Sequence, residues 1–266
     1  MLRIRDDWTP STSGMAARLL ALLAFAVAAL IARAASASSE VDRIAERLDT
    51  LYRSDASHSE MTMQITTKNY ERTLDMEVWT RGMDDTLVRI RAPRKEKGTS
   101  TLKKGREMWN FLPKIKKTIR VPPSMMMSGW MGSDLTNDDM VRESSWQRDY
   151  VASMLSQAAP SDQKCVEFKA KPDAAVAWDR VVVCVHAQKY YPIRQDFYDE
   201  KGRHARSMTF SDVKVVGGRE MPTRIAVKPL LDDKQGNETV LIYRDIVFDL
   251  ELDDTLFSLA RLRRGR

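Results

Sequence analysis

Residues 91–140 read RAPRKEKGTSTLKKGREMWNFLPKIKKTIRVPPSMMMSGWMGSDLTNDDM. The first part holds three strand-like pieces, around Lys97–Lys104, Glu107–Leu112 and Lys117–Val121. Gly105-Arg106 and Pro113-Lys114 separate them, and both pairs are turn chemistry. Pro122-Pro123 stops the third piece. A methionine-rich turn follows, Met125-Met126-Met127-Ser128-Gly129-Trp130-Met131, and Gly132-Ser133-Asp134 ends it. Strands that finish in a Met- and Trp-rich flap imply a sheet with an apolar face and a movable cover, with Gly129 and Gly132 as the natural gate.

The rest of the chain can supply such a sheet. It has 266 residues, 43% hydrophobic and 30% charged, which is ample for a core and argues against wholesale disorder. At its start, Arg3, Arg5 and Arg18 precede an apolar run from Leu19 to Ala32, and Ala35-Ser36-Ala37 follows as a small-x-small cleavage pattern. The run has 14 residues, short of the roughly 20 that a spanning helix needs. Residues 1–37 therefore read as a cleavable signal for Sec export to the periplasm, residues 38–260 as one domain and residues 261–266 as a frayed basic tail. No cysteine near the cleavage site offers a lipid anchor. The signal takes four basic and two acidic residues with it, so the formal charge falls from +6 to +4. That is too little to argue for nucleic acid.

Cys165 and Cys184 remain, and an exported chain meets an oxidising compartment. Lys164–Lys169 and Arg180–His186 read as strands of one hairpin whose loop is centred midway between the cysteines. The two would lie opposite each other, close enough to bridge. No metal-ligand spacing exists, because the histidines are scattered at 58, 186 and 204.

Val41, Ile44, Leu48 and Leu51 make an amphipathic helix of Ser38–Arg53. From Ser59 the period changes to two. Met61, Met63 and Ile65 share one strand face, and Leu74, Met76 and Val78 share the next. Asp134–Met140 reads as a helix with Thr136 as its cap. Tyr150–Ala158 is ambiguous, with Tyr150, Val151, Met154 and Leu155 fitting a helical turn and a half. Later strands run to Leu250, and Asp253–Leu259 is a short capped helix. About eleven strands in sequence, without βαβ alternation, make a mainly β fold with antiparallel pairing. A sheet of that size must curl, and a curled sheet closed by other elements can hold a cavity.

No nucleophile elbow, phosphate loop or zinc-protease motif occurs, and the paired aspartates sit in turns or at helix starts. The sequence thus reads as a non-enzyme with no cofactor, no metal and no catalytic residue. Three features stand out. Met125, Met126, Met127 and Met131 suit a flap over varied apolar partners. Trp79 and Trp109 fall in strands and Trp130 in the flap, where they can line a pocket or build a core. A basic cluster that includes Lys103, Lys104, Lys116 and Lys117 can dock an acidic partner or an anionic membrane surface, or be a solvated face.

Trp79-Thr80-Arg81-Gly82, Arg91-Ala92-Pro93 and Met108-Trp109-Asn110-Phe111-Leu112-Pro113 recur in a familiar order. Gly132-Ser133-Asp134-Leu135-Thr136-Asn137-Asp138-Asp139-Met140 and Tyr191-Pro192-Ile193-Arg194 follow, then Tyr198-Asp199-Glu200-Lys201-Gly202. The ordered set resembles the bacterial outer membrane lipoprotein-sorting protein family, the LolA-like periplasmic proteins. The resemblance implies an incomplete antiparallel barrel, capped by short helices, with a cavity for acyl chains. It implies a carrier of lipid or acylated lipoprotein between membranes, in contact with an RND-type inner-membrane exporter and transiently with a membrane surface. No lid-latching arginine can be placed by motif. The other reading is a periplasmic adaptor that meets the exporter through the basic face.

Exported from a Gram-negative host, the protein should begin at Ser38. Intact-mass measurement of the periplasmic product checks this, and a product that keeps residues 1–37 contradicts the signal reading.

Overall fold

Short turns between segments of period two produce an antiparallel meander. The structure, a computed structural model, describes residues 40–105, 107–141, 145–155, 160–174, 176–231 and 234–264. The expected signal, with Ser38 and Ser39, lies outside the described residues. The described residues from Val41 onward form one compact unit.

Thirteen strands occur among the described residues. The first six are β1 (Ala56–Thr66), β2 (Glu71–Arg81), β3 (Asp85–Ala92), β4 (Ser100–Lys104), β5 (Glu107–Leu112) and β6 (Lys117–Val121). Seven more follow: β7 (Tyr150–Met154), β8 (Gln163–Ala170), β9 (Arg180–His186), β10 (Pro192–Tyr198), β11 (His204–Val216), β12 (Arg219–Pro229) and β13 (Glu238–Phe248). The helices are α1 (residues 40–50), α2 (Asn137–Val141), α3 (Trp146–Asp149) and α4 (Leu259–Arg264). Tyr150–Met154, ambiguous in the sequence, is a strand and raises the count above the expected eleven.

All thirteen strands form one sheet, in the order β6-β5-β4-β3-β2-β1-β13-β12-β11-β10-β9-β8-β7. Every pair of neighbours is antiparallel. The first and last strands pair in the middle, and two meanders run outward from them. The sheet does not close, and β6 and β7 are its two free edges. These are consecutive strands, so residues 122–149 must travel from one edge of the sheet to the other. This crossover carries two 3-10 turns, Pro123–Met125 and Trp130–Gly132, then α2 and α3.

A two-residue hairpin joins β11 to β12, where Val216 pairs with Arg219. Gly217 and Gly218 have φ of 56° and 76°, the left-handed pair that a two-residue turn with the correct twist needs. A side chain on Gly217 would meet the Ile246 carbonyl oxygen at 2.6 Å.

Two apolar layers hold the sheet. On the inner face, Val41, Ile44, Ala45 and Leu48 of α1 pack with Met61, Met63 and Ile65 of β1 and with Leu74 and Met76 of β2. Their helical spacing puts four buried side chains on one stripe. On the outer face, Leu87, Leu102 and Phe111 pack against Leu256, Phe257 and Leu262. Leu262 is fully buried, and Arg263 Nε donates to Thr118 Oγ1 at 3.2 Å. The tail expected to fray is therefore docked through residue 264, because its one large apolar side chain completes the outer layer. Gly265 and Arg266 lie outside the described residues.

Cys165 and Cys184 are register partners in β8 and β9 and form a disulfide, with a Cα–Cα distance of 4.1 Å. The bridge closes a loop of sequence separation 19, and the chain-entropy relation gives such a loop about 3 kcal/mol of stabilisation. The double variant Cys165→Ala/Cys184→Ala should lower the urea midpoint accordingly. An unchanged midpoint would show that the bridge adds nothing.

Candidate functional site: a latched cavity under the crossover

Side chains alternate along a strand, so each strand sends every second residue inward. Met61, Val78, Phe197, Met208, Ile225 and Leu241 do so around the middle of the sheet. Leu48, Leu51 and Tyr52 approach from α1 and its end, and Leu135, Met140 and Trp146 from the crossover. Between them lies a cavity of about 190 Å³. Its wall is mostly aliphatic and aromatic, with Arg53, Ser59, Thr80, Asp138, Asp139 and Gln195 as polar points.

The cover is tied to the sheet at several places. Trp130 is 2% exposed, and its Nε1 donates to Thr101 Oγ1 in β4 at 3.0 Å. Tyr70 Oη donates to the Gly132 carbonyl at 2.8 Å, and Arg72 donates to the Met131 carbonyl. The Asp134 amide donates to Thr239 Oγ1 in β13 at 2.9 Å, and that hydroxyl donates back to the Asp134 carboxylate. Asp49 of α1 caps α3, accepting from Ser145 Oγ at 2.6 Å and from the Trp146 amide at 3.0 Å.

The strongest tie is an ion pair. Arg206 in β11 donates to both carboxylate oxygens of Asp139 in α2, at 2.5 and 2.6 Å. Asp139 also closes a capping box, accepting from the Thr136 amide at 2.7 Å while its own amide donates to Thr136 Oγ1 at 3.0 Å. The guanidinium lies 4.1 Å from the Phe197 ring centre and 4.6 Å from that of Trp178. Arg206 is 3% exposed, so the pair is shielded from water. Burial pushes the Asp139 carboxyl up, but the charge and hydrogen bonds of Arg206 outweigh it and hold the group below the usual carboxylate range. Burial pushes Asp134 up, and it stays raised. Burial also raises the Tyr150 phenol, with Asp138 adding to the effect.

A second polar cluster resembles a hydrolase triad in composition only. Ser207 Oγ donates to Asp196 Oδ1 at 2.6 Å, and His204 Nε2 lies 3.1 Å from both of these atoms. A relay needs serine and aspartate on opposite ring nitrogens. Here they share one. Among the described residues no group of three or more His, Cys, Asp or Glu is placed to hold a metal ion. No helix among them is long and apolar enough to cross a membrane.

A family model described as "uncharacterized protein" matches residues 82–264. The chain belongs to that family. Its fold is LolA-like. A LolA superfamily protein from Nitrosomonas europaea superposes with a TM-score of 0.70 at 24% identity, over 83% of this chain and 98% of that one. A DUF1329 family protein from Desulfovibrio piger gives 0.73 at 23%, over 85% and 98%. A domain named for outer membrane lipoprotein sorting, from Vibrio parahaemolyticus, gives 0.70 at 21%, over 85% and 97%. No curated protein sequence matches the chain.

The LolA-like frame puts the sequence-predicted residues in unexpected places. None of Trp79, Trp109, Met125, Met126, Met127, Trp130 and Met131 lines the cavity. Trp79 and Trp109 are out of phase with Val78 and Met108, so they face outward and pack in the outer layer. Met126 and Met131 pack on the inner core, whereas Met125 and Met127 are exposed. The expected gate is a knot. A side chain on Gly129 would meet the Ser133 carbonyl oxygen at 2.7 Å, and one on Gly132 would meet Tyr70 Oη at 2.8 Å. The true roof is α1, α2 and the start of α3. Lys104, Lys116 and Lys117 are exposed, but Lys103 is 3% exposed. Its Nζ donates inward to the Met83 carbonyl at 2.7 Å. Asp139 and Arg206 were missed because 67 residues separate them, and no local spacing marks such a pair.

Removing one partner of a buried pair leaves a bare charge, so Arg206→Ala should cost about 3–5 kcal/mol. Asp139→Leu/Arg206→Met should recover most of it in denaturant melts; no recovery would contradict the pairing. A depressed carboxyl stabilises the fold fully above the unfolded carboxylate value of about 4, and this is lost as pH falls through the folded value. Asp134, raised by burial, works in the opposite sense. Asp139→Asn should therefore lose less stability than the parent between neutral and acid pH.

Proposed function

We propose that this protein is a periplasmic carrier that shelters the acyl chain of a lipid or lipoprotein beneath its crossover and moves it between membranes. The observation that carries this reading is the apolar cavity roofed by a segment that one buried ion pair holds to the sheet. The fold supports it, since a relative of the same architecture is named for lipoprotein sorting.

On the carrier reading, the cavity's size supports a closed state. At about 190 Å³ it exceeds the roughly 150 Å³ that accepts a benzene ring, yet is smaller than the roughly 300–1,000 Å³ usual for ligand pockets. This is the closed form. A long chain enters only as α2 lifts and the Arg206–Asp139 pair parts. Each CH₂ sheltered from water contributes about 0.8 kcal/mol, so a long chain offsets that parting. The indole N–H groups of Trp146 and Trp178, both in the wall, are buried without a hydrogen-bond partner. They suit an ester or amide carbonyl at the head of such a chain. Release requires a partner that receives the chain directly, a role an RND-type exporter or an acceptor membrane would fill.

Native mass spectrometry of protein purified from the periplasm should show an added acyl-lipid mass. The parent should take up a fluorescent long-chain fatty acid, and Arg206→Ala should take it up several-fold faster. If neither bound lipid nor uptake is found, the carrier reading fails. The adaptor reading, with exporter contact through Lys104, Lys116 and Lys117, then replaces it.

A further inference from the structure

The outside of the crossover and the hairpin before it have a character of their own. Among the described residues eleven large hydrophobic side chains are exposed, and four of them fall between residues 115 and 127. Ile115 is 56% exposed, Ile119 47%, Met125 49% and Met127 47%. They follow β6 from its hairpin tip, along the strand, to the methionine turn. β6 is a free edge of the sheet, so this strip lies along a border of the molecule.

Its charge is of one sign. No acidic residue occurs from Pro113 to Ser133. Lys114, Lys116 and Lys117 are exposed and make no ion pair among the described residues. Arg120 is exposed too and pairs with Glu107 at 2.5 Å. Pro113 lies 3.6 Å from where a Cβ on Gly98 would sit, which brings the loop with Arg94, Lys95 and Lys97 beside the hairpin tip.

We propose that this strip is a membrane-docking surface, which lays the β6 edge and the methionine turn on an anionic phospholipid surface. Unbranched and β-branched aliphatic side chains flanked by lysines suit the headgroup boundary. There the apolar groups enter the acyl edge, and each basic residue near the surface adds electrostatic attraction to the anionic headgroups. A protein partner fits less well, because protein interfaces concentrate aromatic residues and arginine and deplete lysine. This strip holds three lysines, one arginine and no aromatic side chain between residues 113 and 129.

Docking reaches the latch. Asn137 Nδ2 donates to the Met125 carbonyl at 2.9 Å, the Asn137 amide to the Ser128 carbonyl at 2.9 Å, and the Asp138 amide to the Met126 carbonyl at 3.1 Å. The exposed turn is thus bonded to the first turn of α2, which holds Asp139. A pull on Met125 and Met127 is a pull on the Arg206–Asp139 pair. This coupling rests on the carrier reading, whereas the docking itself does not.

The test is co-sedimentation of the mature protein with vesicles of phosphatidylcholine alone or mixed with phosphatidylglycerol. Binding should require phosphatidylglycerol and weaken with salt. Both Ile115→Ser/Ile119→Ser/Met125→Ser/Met127→Ser and Lys114→Glu/Lys116→Glu/Lys117→Glu should reduce it at least tenfold. Every replaced side chain is exposed, and an unchanged melting temperature confirms folding. Failure of the parent to bind phosphatidylglycerol vesicles overturns the proposal and leaves the strip to an acidic protein. So does undiminished binding by either variant. Vesicle binding without fatty-acid uptake keeps the docking surface and removes the carrier, and uptake without vesicle binding does the reverse. With both present, phosphatidylglycerol vesicles should speed release of the bound fatty acid from the parent and not from the four-serine variant. Equal release rates overturn the coupling.

Discussion

One topological constraint shapes this molecule. The strands that flank the crossover, β6 and β7, are the two free edges of a single sheet. The chain between them has to pass over the sheet, and it passes over the inner face, where α1 already lies. The sheet cannot close into a barrel while β6 and β7 stay apart, so it closes on the crossover instead. Apolar side chains on the inner face then have a roof of short helices rather than more strands. A cavity is left at the centre, between these helices and the sheet.

What holds this roof differs from what holds the sheet. Strand pairing and two apolar layers keep the sheet together, and most of that burial is inaccessible to change. The roof relies on directional contacts: Trp130 on Thr101, Asp134 on Thr239, Asp49 on α3 and Arg206 on Asp139. A buried ion pair adds little net stability compared with apolar residues of the same shape, because desolvation offsets most of the attraction. Its value here is in specifying one position for α2 and in being discrete, either made or parted. The two ring faces beside Arg206 keep water from weakening it.

The same period of two that reveals a strand also decides which face each residue occupies. Leu74, Met76 and Val78 mark the inner face of β2, so Trp79 belongs to the outer one. That assignment was available from the sequence. What was not available was a covered outer face: Leu256, Phe257 and Leu262 arrive there from the far end of the chain. Bulk and apolarity alone therefore pointed the tryptophans toward the cavity. Lys103 misleads for a related reason. Lying between β3 and β5, it turns its charge to the backbone carbonyl of Met83 in the β2–β3 turn rather than to solvent.

The sequence by itself determined the strands other than β7, the antiparallel meander, the helix of α1, Thr136 as the cap of α2 and the register that sets Cys165 opposite Cys184. All of these follow from local periodicity, turn residues and hairpin register, which act over short stretches of chain. Only the tertiary structure decided that β1 pairs with β13, that the crossover spans the sheet, and that Asp139 meets Arg206 over the cavity. Those contacts join residues far apart in the chain, and their energy comes from burial that exists only once the sheet is assembled. No local pattern encodes it, because an aspartate in a helix cap and an arginine in a strand look the same whether or not the fold brings them together.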